Sequence, residues 1–142
     1  MIVLDTNVLS VLMHPKRPEP VTQWFKTQPA ESLWITSITI FEASFGIEQV
    51  DDAGRRNALR TAFDAALGDV IRGRVLSFDA AAAYEAAMLV AERRRRNRTV
   101  ELRDTQIAGI VRARKATLAT RNLKDFRDAG VPLIDPWTHG AD

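Results

Sequence analysis

The chain is predicted to be an α/β protein, with a short parallel sheet of about five strands flanked by helices on both faces. Apolar runs of two to four residues recur along the chain, which is the pattern of strands buried on both faces. Longer segments with apolar residues at helical spacing separate these runs. Short strands that alternate with helices form βαβ units, and such units require a parallel sheet.

The first half of the chain is predicted to hold two strands and four helices. A first helix must stop before Pro15, because proline disfavours a helical conformation in the residue before it. Thr36-Ser37 and Asp51-Asp52 are residue types that begin helices, so a helix follows each pair. The predicted elements are a strand at 2–4, helices at 7–13 and 20–27, a strand at 33–35, and helices at 38–50 and 52–71.

The inward faces of the two longer helices in this half follow from their apolar spacing. In the helix at 38–50, we expect Ile38, Phe41 and Phe45 to face the core. The helix that ends at 71 has its own stripe of apolar residues. These residues are Leu59, Phe63, Leu67 and Ile71.

The second half is predicted to supply the remaining strands. Asp79 is placed to cap an alanine-rich helix, and Asp104 is expected to open the next helix. The predicted elements are a strand at 75–76, helices at 80–96 and 104–115, a strand at 117–120, a helical turn at 125–126 and a strand at 132–134. No linker or repeat interrupts the chain, so residues 1–142 are expected to form a single domain.

The composition excludes several classes of protein. Hydrophobic residues make up 46% of the chain and charged residues 27%, as in soluble globular proteins. The chain has no cysteine, which excludes disulfides, zinc–thiolate sites and cysteine nucleophiles. No apolar run reaches the roughly 18 residues of a membrane span, and the signal-peptide pattern is missing. We therefore expect a cytoplasmic protein with no membrane attachment.

Three acidic residues occur next to apolar segments, where an unpaired carboxylate would be costly. Asp5 ends the first strand, Glu42 borders the apolar face of its helix, and Asp104 is in line with Ile107 and Val111. Ligands of parallel sheets bind beyond the carboxyl ends of the strands. The three acids are therefore expected to meet there and to hold a divalent metal ion. Helix capping by Asp5 and Asp104, and a surface position for Glu42, are the structural alternatives.

Positive charge is concentrated in the second half of the chain, and most densely at residues 93–98. Such a run suits a polyanionic partner such as a nucleic acid. A cationic run at a helix C-terminus also stabilises the helix dipole and is then simply solvated. Both interpretations stay open at this point.

Four motifs together resemble the PIN-domain nucleases and, within them, the VapC toxins of bacterial toxin–antitoxin pairs. The motifs are Met-Ile-Val-Leu-Asp-Thr-Asn at 1–7, Ile-Thr-Ser-Ile-Thr-Ile-Phe-Glu at 35–42, Asp-Thr-Gln-Ile-Ala at 104–108 and Leu-Ala-Thr-Arg-Asn-Leu-Lys-Asp-Phe at 118–126. The segment Pro-Leu-Ile-Asp-Pro-Trp at 132–137 is similar to that group as well. The resemblance spans essentially the whole chain.

This resemblance implies a five-stranded parallel sheet and an acidic site that binds Mg²⁺ or Mn²⁺. Asp5 and Asp104 match the principal metal-binding aspartates, and Glu42 matches the third acid. The residues implied to support the site are Thr6, Asn7, Thr120 and Asn122. Many relatives carry a fourth acid where this chain has Asn122, and Asp125 is the nearest acid. Whether the site holds one metal or two, and whether Asp125 takes part, is left open.

The implied activity is that of a metal-dependent endoribonuclease that leaves 5′-phosphate and 3′-hydroxyl ends. The implied partners are an RNA substrate, a small cognate antitoxin, operator DNA through that antitoxin only, and a second copy of the chain. Apolar surface on the helices at 52–71 and 80–96 also favours a homodimer. The arginines expected to position RNA are Arg95, Arg96, Arg98 and Arg121.

Two other functions are considered. A non-catalytic nucleic-acid-binding module within an antitoxin–operator complex would share the arginine run, but it has no use for Glu42. A phosphatase with an aspartyl nucleophile would need a second acid at position 7, where the chain has Asn.

Overall fold

The computed structural model, which describes residues 1–139, contains one sheet of five parallel strands in the order β3-β2-β1-β4-β5. The strands are β1 (Ile2–Leu4), β2 (Leu33–Thr36), β3 (Val75–Leu76), β4 (Thr117–Ala119) and β5 (Leu133–Ile134). The central strand β1 pairs Ile2 with Leu33 of β2, and Leu4 with Ala119 of β4. The α/β class and the parallel sheet predicted from the sequence are confirmed.

Seven α-helices connect the strands within residues 1–139. They are α1 (Thr6–Val11), α2 (Glu19–Thr27), α3 (Ser37–Glu48), α4 (Ala53–Ala65), α5 (Ala80–Arg95), α6 (Leu102–Arg114) and α7 (Leu123–Phe126). The predicted fourth helix continues beyond α4 as a π-helical segment over Ala66–Ile71. None of the helices in this part of the chain is long and apolar enough to cross a membrane.

Side-chain caps begin most of the long helices, because the first backbone N–H groups of a helix lack partners within it. The predicted caps at Thr36, Asp52 and Asp79 are confirmed by hydrogen bonds of 2.9–3.1 Å to backbone N–H groups. The prediction that Asp104 opens its helix is wrong. Glu101 caps α6, so Asp104 lies within the first helical turn and does not form the cap.

The sheet has an apolar core on each face. Val3, Leu118 and α5–α6 residues such as Ile107 form one core, and Leu4, Ile35 and Trp24 belong to the other. Helices α5 and α6 approach closely at Gly109, where a Cβ atom would lie 2.6 Å from the carbonyl oxygen of Ala82. Only glycine permits this spacing, which fixes α6 and therefore the acid in its first turn.

Helix α3 faces the core with only one of the three residues predicted, since Ile38 packs against the core as expected. Phe41 and Phe45 are 58% and 48% exposed, so their assignment to the inward face is wrong. The buried residues of α3 are Thr39 and Ile47. The buried hydroxyl of Thr39 lies beside those of Thr36 and Thr6, so polar contacts occupy the inward face at this turn. The bulkier phenylalanines then point outward, where their rings stack on each other with centroids 6.1 Å apart.

Candidate active site

A cavity of about 280 Å³ lies at the carboxyl edge of the sheet, where β1 and β4 lie side by side. The chain leaves β1 toward β2 on one side and reaches β4 on the other, so this is the topological switch point of the sheet. The lining residues are Asp5, Thr6, Asn7, Ser10, Glu42, Asp104 and Asn122. The three acids predicted to meet therefore line one cavity.

Asp5 is buried, with 3% of its surface exposed, and only neutral groups donate to it. Oδ1 accepts from Thr6 N at 2.9 Å, which is also the N-cap bond of α1. Oδ2 accepts from the Thr120 hydroxyl at 2.8 Å and from Asn7 Nδ2 at 3.3 Å. Burial raises the pKa of Asp5 despite these bonds, and the nearby Glu42 and Asp125 charges raise it further. Asp5 therefore caps α1 and also lines the acidic cavity.

Glu42 is oriented by a short chain of threonine hydroxyls. The Thr6 hydroxyl donates to Oε1 of Glu42 at 2.8 Å. The Thr6 and Thr39 hydroxyl oxygens lie 3.2 Å apart, and the Thr36 hydroxyl lies 3.3 Å from that of Thr39. These contacts hold Glu42 on the cavity side of α3. The alternative interpretation, in which Glu42 is a solvated surface residue, is therefore wrong.

Asp104 enters the cavity from the first turn of α6 and is half-buried. Its pKa is raised to about 7, chiefly by burial and then by the charges of Asp5, Glu101, Glu42 and Asp125. Carboxylates that crowd together without a nearby cation disfavour one another's charged forms. Among the described residues, those that line this cavity include no arginine or lysine.

The donor chemistry fits a hard divalent cation that keeps much of its water. Carboxylate oxygens are the ligands that Mg²⁺ prefers, and Mg²⁺ is usually held by one or two carboxylates with several waters. Within residues 1–139, no cluster of three or more acids, histidines or cysteines is arranged to hold a metal. Asp5 and Asp104, which both line the cavity, are the carboxylates that could form such a pair.

The segment after β4 forms the opposite wall of the cavity. Asn122 N donates to the Thr120 hydroxyl at 3.0 Å, and Arg121 N donates to Asn7 Oδ1 at 3.3 Å. These bonds connect the segment to both Asp5 and Asn7. Asp125 does not line this cavity; with Asp104 it lines a neighbouring cavity of about 210 Å³.

The predicted RNA-binding arginines have different surroundings. Arg95 and Arg96 are exposed, in keeping with the solvated end of a helix. Arg98 lies 2.6 Å from Asp128, in an ion pair. The Arg121 guanidinium lies 4.9 Å from the ring centre of Trp137. Contact with RNA remains a prediction for all four.

Sequence reasoning missed three residues of this region. Ser10 lines the cavity, and Thr39 supports Glu42; each lies three or four residues from a predicted site residue on the same helix, which is a usable signal. Arg93 is 3% exposed although it belongs to the cationic run. Its partner Asp128 lies 35 residues further on, and no local pattern indicates that pairing.

Residues 2–132 match the PIN domain family, so the chain belongs to the PIN-domain proteins. The family resemblance noted from the sequence motifs is thereby confirmed.

Individual relatives agree over nearly the whole chain. The plasmid stability protein StbB of Pseudomonas syringae pv. tomato is 38% identical, over 96% of this chain and 99% of its own length. The VapC ribonuclease Y4jK of Sinorhizobium fredii is 33% identical, over 96% and 98%. FitAB bound to an IR36 DNA fragment superposes with a TM-score of 0.86 at 28% identity, covering 96% of each chain.

Proposed function

We propose that this PIN-domain protein is a metal-dependent endoribonuclease and the toxin of a toxin–antitoxin pair. It would hydrolyse RNA phosphodiester bonds to leave 5′-phosphate and 3′-hydroxyl ends. The observation that carries the proposal is the cavity lined by Asp5, Glu42 and Asp104, in a chain 33% identical to a VapC ribonuclease. Three carboxylates at one cavity, with no cation among the described residues that line it, need a positive ion when they are charged together.

Asp5 and Asp104 are the residues that would hold Mg²⁺ or Mn²⁺, with Glu42 as the third acid. When bound, the ion would stabilise charge on the phosphate and lower the pKa of a water molecule. Thr6, Asn7 and Thr120 keep the Asp5 oxygens in place through neutral donors, so the carboxylate is oriented without a salt bridge that would balance its charge. Thr6 also fixes Glu42, so one residue orients two of the acids.

Capture of RNA would fall to cationic side chains around the cavity. An acidic pocket repels phosphate, so basic residues nearby are needed to attract the substrate. Arg95 and Arg96 stand exposed where α5 ends, close in sequence to α6 and Asp104. Arg121 follows Thr120 at the opposite wall. Its guanidinium lies over the ring of Trp137, 4.9 Å from the ring centre.

A small antitoxin and a second copy of the chain are the proposed protein partners, with operator DNA bound through the antitoxin. An apolar cavity of about 160 Å³ beside the acidic one, lined in part by Leu9, Met13 and Ile47, offers a place for an antitoxin side chain. The superposed FitAB structure, described as bound to DNA, supports the operator proposal. We propose the cytoplasm as the location.

Exposed apolar side chains support the homodimer. Those of α3, α5 and α6 are Phe41, Phe45, Tyr84, Met88 and Leu102. Exposed apolar residues of this size favour a protein interface when they are contiguous. The surface predicted from the sequence was on α4 and α5; of these, α5 carries two members of the set, and α4 carries none. Sedimentation of the wild type against Phe41→Ser/Phe45→Ser tests this surface.

The activity is tested with purified protein and a single-stranded RNA in Mg²⁺ or Mn²⁺, with EDTA as the control. Ligation-based sequencing of the products reports whether their 5′ ends carry phosphate. We expect metal-dependent cleavage with 5′-phosphate ends. RNA binding without cleavage in either metal would instead favour the non-catalytic binding module. Cleavage that persists in EDTA would contradict the role of the acids.

A further inference from the structure

Arg93 lies in the interior, although it belongs to the run of arginines at the end of α5. Its Nε and Nη2 donate to the two carboxylate oxygens of Asp128, each at 2.9 Å. Nη1 donates to the Thr105 hydroxyl at 2.8 Å, and Nη2 also donates to the Asp125 carbonyl at 2.8 Å. A single guanidinium therefore joins three separate segments of the chain.

Two of those segments are walls of the acidic cavity. Thr105 is the neighbour of Asp104, and its hydroxyl donates onward to the Glu101 carbonyl at 2.9 Å, within the first turn of α6. Asp125 belongs to α7, and the backbone N–H of Asp125 donates to the Asn122 carbonyl at 3.0 Å. Arg93 thus connects the turn that carries Asp104 to the segment that carries Asn122.

The end of α5 is shaped to keep this arrangement. Arg98 N donates to the Arg93 carbonyl at 2.9 Å and Asn97 N donates to the Arg94 carbonyl at 3.1 Å, with Asn97 at a positive φ of 54°. These are the two bonds of a Schellman motif, which reverses the chain at a helix C-terminus. The reversal brings Arg98 back to Asp128, 2.6 Å away.

The Arg93 cluster also touches the site directly. Arg93 and Asp104 both line the neighbouring cavity of about 210 Å³, together with Arg98 and Asp125. Asp104 therefore stands between the acidic cavity on one side and the buried guanidinium on the other.

We propose that Arg93 is a positioning residue for the acidic site, an inference that rests on the function proposed above. Through Thr105 it sets the position of Asp104, and through Asp125 and Asp128 it sets the facing wall. Side chains that orient the ligands of a metal typically contribute 10–100-fold to metal affinity or activity. Arg93 would act in this way without touching the substrate.

The sharpest test is Thr105→Val, because it removes one link and leaves the Arg93–Asp128 pair and the side-chain volume in place. Mn²⁺ binding to the protein without RNA is measured by calorimetry, and kcat and KM are measured on a model RNA. We expect Mn²⁺ affinity to fall about tenfold and kcat to fall with it. KM for RNA should stay unchanged, because the exposed arginines are untouched.

A second variant, Arg93→Met/Asp128→Leu, replaces the buried ion pair by apolar groups, an exchange that folded proteins often tolerate. It should fold and show the same loss of Mn²⁺ affinity. The matched control is Arg94→Met, the same substitution at the exposed neighbouring residue of α5. It should bind Mn²⁺ as the wild type does.

Two results would overturn the inference while the proposed function stands. One is that both variants bind Mn²⁺ as tightly as the wild type, while the wild type itself binds Mn²⁺ and cleaves RNA. The other is full recovery of affinity in trimethylamine N-oxide, which stabilises the fold and would show that only stability was lost. A wild type that neither binds Mn²⁺ nor cleaves RNA would overturn the proposed function and this inference together.

Discussion

The molecule contains two neighbouring polar clusters, the acidic cavity and the Arg93–Asp128 cluster, and they shift the pKa values of their carboxylates in opposite directions. In the acidic cavity, Asp5 accepts hydrogen bonds from neutral donors, and burial together with the charges of neighbouring acids raises the pKa of both Asp5 and Asp104. In the neighbouring cluster, Asp128 forms ion pairs with Arg93 and Arg98. These arginines lower its pKa, and the hydrogen bond from Arg93 is the largest cause. Both clusters contact the first turn of α6, yet only one is balanced in charge.

The difference separates a cluster whose charges are paired within the protein from the cavity that we propose binds a metal ion. A buried carboxylate with a bidentate arginine is complete and gains nothing from a further ion. Carboxylates fixed by threonine and asparagine keep their affinity for a cation. Both clusters contain carboxylates that are at least partly buried, and the lack of a paired arginine is what distinguishes the proposed metal site.

The largest effect is expected at the balanced cluster. Asp128→Ala leaves Arg93 buried without its counter-ion, which should lower the free energy of unfolding by about 3–5 kcal/mol. Urea denaturation at pH 7 measures this loss. Because the folded-state pKa of Asp128 is lowered, its contribution is present at neutral pH and disappears as the pH falls through that pKa. The exposed Asp64→Ala should change stability by less than about 0.5 kcal/mol; equal losses in the two would contradict the comparison.

The next effect concerns activity at the unbalanced cluster. Asp5→Asn and Asp104→Asn keep the shape of each side chain and remove its charge. We expect RNA cleavage to fall at least about a hundredfold, since a bound metal supplies several kcal/mol to the transition state. Single-turnover cleavage assays measure it. Asp51→Asn, at an exposed position, is the control. Retained cleavage in both site variants would remove Asp5 and Asp104 from the metal site.

A smaller effect of opposite sign is expected in the stability of the metal-free protein. The folded-state pKa of Asp104 is about 7, above its ordinary 3.8, so the folded state holds the proton over that interval. Its contribution to stability is therefore present below pH 4 and is lost as the pH rises through 7. Asp104→Asn should match the wild type near pH 4.

At pH 8 in EDTA the same variant should be more stable than the wild type, on the order of 1 to 2 kcal/mol after solvent screening of this half-buried group. Thermal unfolding across this pH range measures the difference. Excess Mg²⁺ should stabilise the wild type alone and narrow the gap. A gap that does not depend on pH would show that the charges in the cavity do not repel.

The smallest effect is expected at the exposed arginines. Arg95→Ala/Arg96→Ala should weaken RNA binding and lower its salt dependence by roughly 0.7 in log–log slope for each phosphate that the protein no longer neutralises. Arg98 is left in place because it pairs with Asp128. Fluorescence anisotropy over a salt series gives the slope, with Arg55→Ala on α4 as the control. An unchanged slope would mean that these arginines are simply a solvated helix end.

The sequence was enough to predict the strands, most helix starts and the meeting of the three acids. Short apolar runs and caps such as Asp52 and Asp79 act locally, and parallel strands bring their carboxyl ends to one edge by topology alone. Asp5 and Glu42 were found because each interrupts an apolar pattern at that edge.

The misses have a different cause. Arg93 is one of four consecutive arginines, so periodicity could not indicate that it alone turns inward; a distant aspartate decides this. Phe41 and Phe45 were placed inside on hydrophobicity. The buried residues of α3 are instead Thr39 and Ile47, and the hydroxyl of Thr39 contacts those of Thr36 and Thr6, which a hydrophobic pattern cannot indicate.

The strand order also determines when the site exists. Strand β1 is made first, yet it lies at the centre of the sheet between β2 and β4. Asp5 accepts the Thr120 hydroxyl only after residue 120 has left the ribosome, 115 residues later. A nascent chain is therefore without the assembled acidic cavity for most of its synthesis. For a protein proposed to cut RNA, this delay keeps the growing chain inactive beside the ribosome and messenger that are producing it.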